Sequence, residues 1–349
     1  MPDFHKILTV WYQQNKRDLP WRLKNDPYQV WVSEIILQQT RIDQGTAYFF
    51  RFIDRFPDVK ALATSDENEV LKIWQGLGYY SRARNMHRAS RQIMTDFNGE
   101  FPTSYMNIRK LIGVGEYTAA AIASIAYGLP YAAIDGNVYR VLSRVFGILE
   151  PIDSTGGKKI FSELARQLLD QHNPALFNEA LMDFGSLQCT PRNPDCLQCP
   201  FRDQCVALSQ NQISMLPVKT KKIKVTNRFF NYLFIRHNQH FFIEKRESDD
   251  IWRNLYQLPL IESSKELSPE ELLASGPFTT IFQGLKIVVT STGSEIIHLL
   301  SHQRLHVRFI EVTILDSETN FNWIKVRDDQ ISDYPVPRLI DNFLTTKRS

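Results

Sequence analysis

The chain lacks any long run of apolar residues. Nowhere in its 349 residues does a stretch approach the roughly 18 consecutive apolar residues that a membrane helix needs. The first residues form only a short apolar patch without a small-residue cleavage site, so we expect no secretion signal. These absences exclude the membrane-spanning and secreted classes, and we expect a protein of the cytoplasm that does not interact with membranes.

Cysteine is scarce, and its placement is informative. The four cysteines all lie within residues 189–205, whereas a disulfide framework would scatter them along the chain. Their spacing is Cys-x6-Cys-x2-Cys-x5-Cys, in a segment where prolines favour a loop. Four thiolates in one loop suit a tetrahedral sulfur site, which holds either zinc or an iron–sulfur cluster. The candidate ligands are Cys189, Cys196, Cys199 and Cys205.

Neither sign of charge dominates the chain, whose net charge is +3. The charge is unevenly distributed, however. Residues 1–224 carry 27 basic and 22 acidic side chains, whereas residues 225–349 carry 14 and 16. We therefore expect any polyanionic partner to contact the first part of the chain.

The sequence also lacks long repeats and low-complexity tracts, and its length suits two domains. Residues 1–210 show helical periodicity and predict a first domain of residues 1–213, whereas residues 214–227, with one proline and four lysines, are interpreted as a linker. Residues 228–349 predict an α+β domain. The predicted helices lie at 27–46, 67–75, 81–96, 117–127, 137–147, 158–172, 175–186, 268–274 and 335–345. The predicted strands lie at 228–236, 241–245 and 305–310, and the first two form a hairpin.

A two-glycine turn joins two predicted helices at Leu111–Glu116. Gly113 and Gly115 would let the backbone pass close to a ligand, and the amides that open the next helix would bind a phosphate. A plain helix–helix turn with glycine caps is the alternative.

Two carboxylates are candidates for acid–base chemistry. Glu34 lies among bulky apolar residues, on a predicted helix face shared with Gln38 and Arg41. Burial would raise its pKa, as a general acid requires, while the alternative is a solvated surface glutamate. Asp135 precedes a helix, so it is either an N-cap or a carboxylate aimed into a cleft opposite the glycine turn.

Together these motifs resemble the helix–hairpin–helix base-excision DNA glycosylases. Asp135 follows the glycine turn by 20 residues, and the cysteine loop comes later. Residues 17–22 (RDLPWR), 31–40 (WVSEIILQQT) and 75–84 (QGLGYYSRAR) resemble the MutY family of adenine DNA glycosylases, and the resemblance spans about residues 7–210. It implies a mostly α N-terminal helix–hairpin–helix domain with an iron–sulfur cluster loop. The C-terminal part resembles, more faintly, an α+β Nudix fold.

The resemblance also implies roles for individual residues. Glu34 would protonate adenine at N7, and Asp135 would stabilise the sugar cation with support from Tyr117 and Asn137. The four cysteines would hold a [4Fe–4S] cluster. The adenine pocket would be lined by Arg17, Leu19, Trp21, Arg22 and Glu179. The DNA contacts would come from the turn at Gly113 and Gly115, from Gln39 and Tyr79 as wedges at the lesion, and from a lesion-reading loop of Leu300, Ser301 and His302.

Some positions depart from the family pattern. Glu116 follows the second glycine, where family members often have proline, and Leu300 stands where they often have phenylalanine. Ser301 and His302 could also form a simple turn before the strand at 305. The C-terminal part lacks the Gly-x5-Glu-x7-Arg-Glu-x2-Glu-Glu box with which a working Nudix hydrolase holds metal ions, so we interpret it as a recognition module.

The predicted function is hydrolysis of the N-glycosidic bond of adenine mispaired with 8-oxoguanine or guanine in double-stranded DNA. The enzyme is predicted to be monofunctional and monomeric. One alternative is a bifunctional glycosylase/lyase like endonuclease III, whose relatives carry a Schiff-base lysine where this chain has Tyr117. A second alternative is a catalytically inactive DNA-binding module, against which the presence of both Glu34 and Asp135 argues.

Overall fold

The computed structural model describes residues 3–220 and 225–347. These residues divide into two compact units. The first unit contains residues 3–65 and 85–220, and the second contains residues 66–84 and 225–347. A short segment from the N-terminal half of the sequence therefore belongs to the same unit as the C-terminal residues.

Helices form the first part of the chain. They are α1 (Phe4–Asn15), α2 (Pro27–Leu37), α3 (Ile42–Arg55), α4 (Val59–Thr64), α5 (Glu67–Ile73), α6 (Ser81–Asp96), α7 (Tyr105–Arg109), α8 (Glu116–Tyr127), α9 (Gly136–Phe146), α10 (Thr155–Leu168), α11 (Pro174–Leu187) and α12 (Val206–Ser209). Helix α5 lies in the second unit, and α6 begins there. The sequence pattern identified most of these helices but not α1, α3 as a separate helix, or the short α4, α7 and α12.

The prediction of one helix over 27–46 was wrong. Helix α2 begins where Asp26 accepts the backbone N–H groups of Tyr28 and Gln29, and it ends at Leu37. Gln39 has a φ of +57°, a left-handed conformation that no α-helix can continue through. Gln38 and Arg41 therefore do not share a helix face with Glu34, although the apolar periodicity runs on across the break.

Close packing of small residues positions the site in the first unit. Helix α8 packs against α2, and its residues Ala119, Ala120 and Ala121 are buried. Alanine side chains allow two helix backbones to approach closely. A second cluster, built on the apolar faces of α1, α9 and α11, forms the core beneath the cysteine segment.

A mixed sheet forms the second unit. Its strands are β1 (Thr226–His237), β2 (His240–Lys245), β3 (Tyr256–Gln257), β4 (Leu260–Ser263), β5 (Ile287–Ser291), β6 (Ile296–Leu299), β7 (Gln303–Ile314) and β8 (Ile324–Arg327). The main order is β3-β2-β1-β7-β5, with β4 on β1, β6 on β7 and β8 on β2. Strands β1 and β7 are parallel, and the other pairs are antiparallel. Three helices accompany the sheet, α13 (Pro269–Leu273), α14 (Gly276–Ile281) and α15 (Arg338–Thr346).

The structure confirms the elements predicted for this region. The predicted hairpin is β1–β2, closed by the pair His237 and His240. Alternating residues of β1 enter different cores, with Tyr232 and Phe234 in one and Leu233 and Ile235 in the other. Both faces of the sheet are thus covered, as the period of two in strand side chains requires.

The predicted linker, 214–227, is only partly described. Residues 221–224 lie outside the described ranges, and β1 already begins at Thr226. Leu216 is buried and packs with Val218 on the first unit, so the start of this segment is ordered against that unit. In the two ranges that the structure covers, no helix has the length and apolar character needed to cross a membrane.

Candidate functional site

A cavity of about 680 Å³ opens in the first unit between α2, α8, α9 and α11. Residues from five separate stretches of sequence reach it, and they include the predicted catalytic and adenine-pocket residues. The predicted residues that line it are Arg17, Leu19, Trp21, Arg22, Glu34, Gln39, Tyr117, Asp135, Asn137 and Glu179. The fold thus brings these candidates together at one concave site.

Glu34 is buried at the wall of this cavity, with 8% of its surface exposed. Burial raises its pKa to about 7; a hydrogen bond from Tyr117 opposes the rise, and the charge of Asp135 adds to it. The bond runs from the Tyr117 hydroxyl to Glu34 Oε2 over 2.6 Å. A carboxyl with this pKa is partly protonated at neutral pH and can donate a proton. The solvated-glutamate alternative was wrong.

The partner expected for Tyr117 needs correction. The resemblance implied support for Asp135, but the Tyr117 hydroxyl donates to Glu34. The reason lies in the packing, because Tyr117 occupies the first turn of α8 and α8 packs on α2. Tyr117 therefore acts directly on Glu34.

Asp135 is both an N-cap and a cavity residue. Its Oδ1 accepts the backbone N–H groups of Asn137 and Val138, at 2.9 and 2.8 Å, at the start of α9. Its Oδ2 accepts the Asn137 side-chain amide at 2.6 Å, and Arg140 fixes that amide by donating to Asn137 Oδ1. Burial raises the pKa of Asp135, while these hydrogen bonds oppose the rise. Capping therefore holds the carboxylate in place at the cavity.

Two residues that the sequence reasoning missed organise the pocket arginines. Asp183 is fully buried and accepts hydrogen bonds from Arg22 and Arg17. Burial would raise the pKa of Asp183, but the bonds from Arg22 and Arg17 outweigh it and hold that pKa below its usual value. The Tyr12 hydroxyl accepts from Arg22 at 3.2 Å and donates to Glu179 Oε2 at 2.9 Å. The i, i+4 spacing of Glu179 and Asp183 on α11 was the available signal, because it places both carboxylates on one helix face.

The two glycines of the turn have different surroundings. Gly113 has a φ of +79°, and a Cβ there would lie 2.6 Å from Asn85 Cβ, so only glycine fits. Gly115 has open space around it. It is the N-cap of α8 and supplies no side-chain acceptor, so the first amides of this helix lack the usual cap. An anion could accept from these amides.

The four cysteines lie close enough to influence one another. The negative charges of the neighbouring thiolates help raise the pKa of Cys196, Cys199 and Cys205, although burial is the larger cause for each. Arg144 donates to the backbone oxygens of Thr190 and Pro191 and approaches Cys189 Sγ at 3.5 Å. Half-buried thiols beside a fixed guanidinium fit a centre that needs thiolate ligands. In residues 3–220 and 225–347, no three side chains of Cys, His, Asp or Glu are placed so that they could together hold one metal ion.

A second cavity, of about 540 Å³, lies within the second unit. It is lined by the predicted wedge Tyr79 and by the predicted reading loop, Leu300, Ser301 and His302. The Tyr79 hydroxyl and Ser301 Oγ are hydrogen-bonded to each other. Tyr79 is 46% exposed, whereas Leu300 is partly buried against the core. The loop connects β6 to β7, so it is a short turn between strands, as the simple-turn alternative proposed. It also lines this cavity.

Three family models match separate stretches of the chain. Residues 32–167 match the HhH-GPD superfamily base excision DNA repair proteins, residues 189–205 match the iron–sulfur binding domain of endonuclease III, and residues 231–346 match the NUDIX domain. These matches confirm the predicted fold classes, and the cofactor is a [4Fe–4S] cluster.

Curated relatives cover between about three fifths and nearly all of the chain. It is 30% identical to an adenine DNA glycosylase of Buchnera aphidicola subsp. Acyrthosiphon pisum over 97% of each protein. It is 35% identical to that of Buchnera aphidicola subsp. Schizaphis graminum over 73% of this chain and 74% of the relative. The human adenine DNA glycosylase is 41% identical over 58% of this chain and 39% of its own length.

Solved structures resemble the helical part. A thermostable thymine-DNA glycosylase superposes with a TM-score of 0.56 at 28% identity, over 60% of this chain and 96% of its own. A DNA-bound endonuclease III superposes with a TM-score of 0.53 at 19% identity, over 59% of this chain and 94% of its own, which shows a shared fold.

Proposed function

The chain belongs to the adenine DNA glycosylase family, and on that premise we propose that it removes adenine mispaired with 8-oxoguanine or guanine in double-stranded DNA. We propose further that it acts as a monomer in the cytoplasm, at the nucleoid if the cell is bacterial. The observation that carries the proposal is the pair of carboxyls at one cavity. Glu34 has a pKa of about 7, and Asp135 is held by three hydrogen bonds.

The proposed mechanism uses these carboxyls in different ways. An enzyme that acts on a base must take it out of the stack, and the cavity receives the extruded adenine. Protonated Glu34 donates its proton to N7 while the bond between C1′ and N9 breaks and its electron pair leaves with the base. Ionised Asp135 stabilises the positive charge that develops on the sugar. Water then adds to C1′ and gives up a proton, which restores the acid.

The other cavity residues hold the substrate and the acid in place. The hydroxyl of Tyr117 fixes the orientation of Glu34. The Asn137 side chain holds one oxygen of Asp135, Oδ2, while the backbone amides hold the other, Oδ1. Asp183 fixes the two arginines that face the base. The adenine pocket itself consists of Arg17, Leu19, Trp21, Arg22 and Glu179.

The proposed DNA contacts come from both units. In the first, the uncapped amides that follow Gly115 bind a backbone phosphate, Gly113 allows the turn, and Gln39 wedges into the stack. In the second, Tyr79 is the other wedge, and Leu300, Ser301 and His302 read the base opposite adenine. Along the sequence, the proposed domains are 1–213 and 228–349 with a linker at 214–227, while in the structure residues 66–84 belong to the second unit and β1 begins at Thr226.

We assign Cys189, Cys196, Cys199 and Cys205 as the ligands of the [4Fe–4S] cluster. These four thiolates would hold the cluster within the loop at 189–205, where Cys189 and Cys199 pack against the core of α1, α9 and α11. Metal analysis of protein purified without oxygen should give about four irons per chain and a brown colour. Stoichiometric zinc without visible absorbance would contradict this assignment.

The test of the function compares duplexes that carry adenine opposite 8-oxoguanine, guanine and thymine, with alkali cleavage at the abasic sites formed. Excision opposite 8-oxoguanine and guanine, but not thymine, is expected. Borohydride should trap little protein–DNA adduct, because Tyr117 has no amine for a Schiff base. Efficient trapping, or nicking without alkali, would favour a bifunctional lyase, and no cleavage at all would favour an inactive binding module.

A further inference from the structure

The segment that carries Tyr79 is held at both ends by two consecutive residues of the second unit. At its N-terminal end, the Asn254 side chain donates to Glu67 Oε1 at 2.5 Å, at the first turn of α5. At its C-terminal end, Arg84 Nη1 donates to the backbone oxygen of Arg253 at 2.8 Å. The 16 residues between Glu67 and Arg84, Tyr79 among them, are thus fastened to one short loop.

This loop is itself rigidly anchored. Asp250 is ion-paired with Arg228 and Arg246, at 2.8 and 2.6 Å, and the Asn254 N–H donates to the backbone oxygen of Arg246 at 2.7 Å. Trp252 has a φ of +59° and Asn254 one of +65°. A bulky residue holds such a conformation only when its surroundings determine it strongly.

Trp252 also contacts the strand that leads into the reading loop. Its ring packs against His298, with the centroids 5.9 Å apart, and both residues line the 540 Å³ cavity. His298 lies in β6, directly before the stretch that leads to Ser301. One loop therefore contacts the elements that present both Tyr79 and Ser301.

Tyr79 needs such support. Its φ is +48°, a left-handed conformation that a residue other than glycine keeps only when its surroundings determine it strongly, and it follows Gly76 and Gly78, which both have positive φ. From these contacts we propose that Trp252, Arg253 and Asn254 position Tyr79 against Ser301, and that this positioning sets the enzyme's preference for the oxidised base. The inference rests on the proposed reading role of Ser301 and Tyr79.

The sharpest variant is Asn254→Gly in the full chain. Glycine keeps the positive φ and the backbone bond to Arg246 but removes the amide that holds Glu67. The matched control is Asn238→Gly, because Asn238 also has a positive φ, +56°, and lies exposed in the β1–β2 turn. The measurements are hydrogen exchange over residues 74–80 and the ratio of single-turnover excision rates for adenine opposite 8-oxoguanine and guanine.

Asn254→Gly should speed hydrogen exchange over residues 74–80. It should also lower the ratio of excision rates opposite 8-oxoguanine and guanine by about fivefold, because one ordinary hydrogen bond changes an equilibrium constant by about that factor. The rate opposite guanine and the control should not change. Glu67→Ala should reproduce the effect, while Glu67→Gln, which keeps an acceptor, should restore most of the preference. A ratio unchanged by Asn254→Gly, in an enzyme whose ratio does respond to Ser301→Ala, would overturn the proposal. If Ser301→Ala leaves the ratio unchanged, the proposed reading role of Ser301 is wrong. In that case hydrogen exchange still tests the positioning, because unchanged exchange over residues 74–80 in Asn254→Gly would refute it.

Discussion

The cavity of about 680 Å³ in the first unit and the cavity of about 540 Å³ in the second differ in what lines them. The cavity of the first unit contains Glu34, Asp135 and Glu179, all with a pKa raised by burial. The cavity of the second unit is lined by aromatic, hydroxyl and imidazole groups, and its one carboxylate, Asp250, is ion-paired with two arginines. The first cavity therefore offers buried carboxyl groups for proton transfer, whereas the carboxylate of the second is held in ion pairs.

On the proposed function, this difference predicts that bond cleavage and discrimination of the opposite base use separate side chains. Changes in the first cavity should alter how fast adenine leaves, whichever base lies opposite. Changes in the second should alter the preference between opposite bases. A first-cavity variant that alters only the preference, or a second-cavity variant that slows excision opposite every base, would contradict this separation.

The largest effect is expected for Glu34→Gln. The amide is nearly isosteric but cannot protonate adenine, so single-turnover excision should fall by about 10²–10⁴-fold while DNA binding persists. The exposed Glu150→Gln serves as the control for the same chemical change in the same unit. Retention of more than about a tenth of the wild-type rate would exclude the acid role.

The same residue predicts a dependence on pH. The wild-type rate should fall as pH rises through about 7, because the protonated fraction of Glu34 is lost. Its folded pKa lies above the usual 4.5, so the folded state binds more protons and stability should decrease as pH rises from about 4.5 to about 7. Glu34→Gln should lose both trends, which single-turnover excision rates and urea unfolding at pH 5 and pH 8 would measure. An unaltered profile would contradict the raised pKa.

Asp135→Asn should come next. An asparagine Oδ1 still caps α9, but its side-chain NH2 would face the Asn137 amide that now donates to Asp135 Oδ2, so the loss of that bond should lower the free energy of unfolding by about 1–3 kcal/mol. The negative charge opposite the sugar cation is lost, and excision should fall by about 10²–10³-fold. Thermal unfolding and single-turnover rates separate the two roles. A variant that stays active would leave Asp135 as a cap alone.

Local chemistry made part of the site predictable from sequence. The Asp26–Pro27 start of α2, the β1–β2 hairpin and the cysteine spacing all depend on neighbours in the chain, and all were identified. The hydrogen bond from Tyr117 to Glu34 joins residues that are 83 positions apart, and the contacts of Asp183 with the arginines join residues more than 160 positions apart. Hydrophobic periodicity predicts neither. The helix break at Gln39 escaped because the apolar pattern continues through it.

Within the glycine turn, the two positions should respond differently. Gly113→Ala forces a left-handed residue and a contact with Asn85, which should cost about 2 kcal/mol or more of unfolding free energy. Gly115→Ala has a permitted φ and open space, so stability should hold. Its added methyl group lies next to the amides proposed to bind phosphate, so DNA affinity should fall instead. Equal stability of both variants would refute the close approach at Gly113.

The smallest effect is expected for Ser301→Ala. 8-Oxoguanine carries an N7–H that guanine lacks, and a serine hydroxyl can accept from it. One such hydrogen bond is worth on the order of 1 kcal/mol, so the preference for the oxidised base should fall by about fivefold. Excision opposite guanine should not change, because Ser301 lies outside the cavity that holds Glu34 and Asp135. The exposed Ser264→Ala, in the same unit, is the matched control. Adding His302→Ala should lower the ratio further. If both rates fall together, Ser301 affects cleavage itself, and the division of labour between the two cavities is wrong.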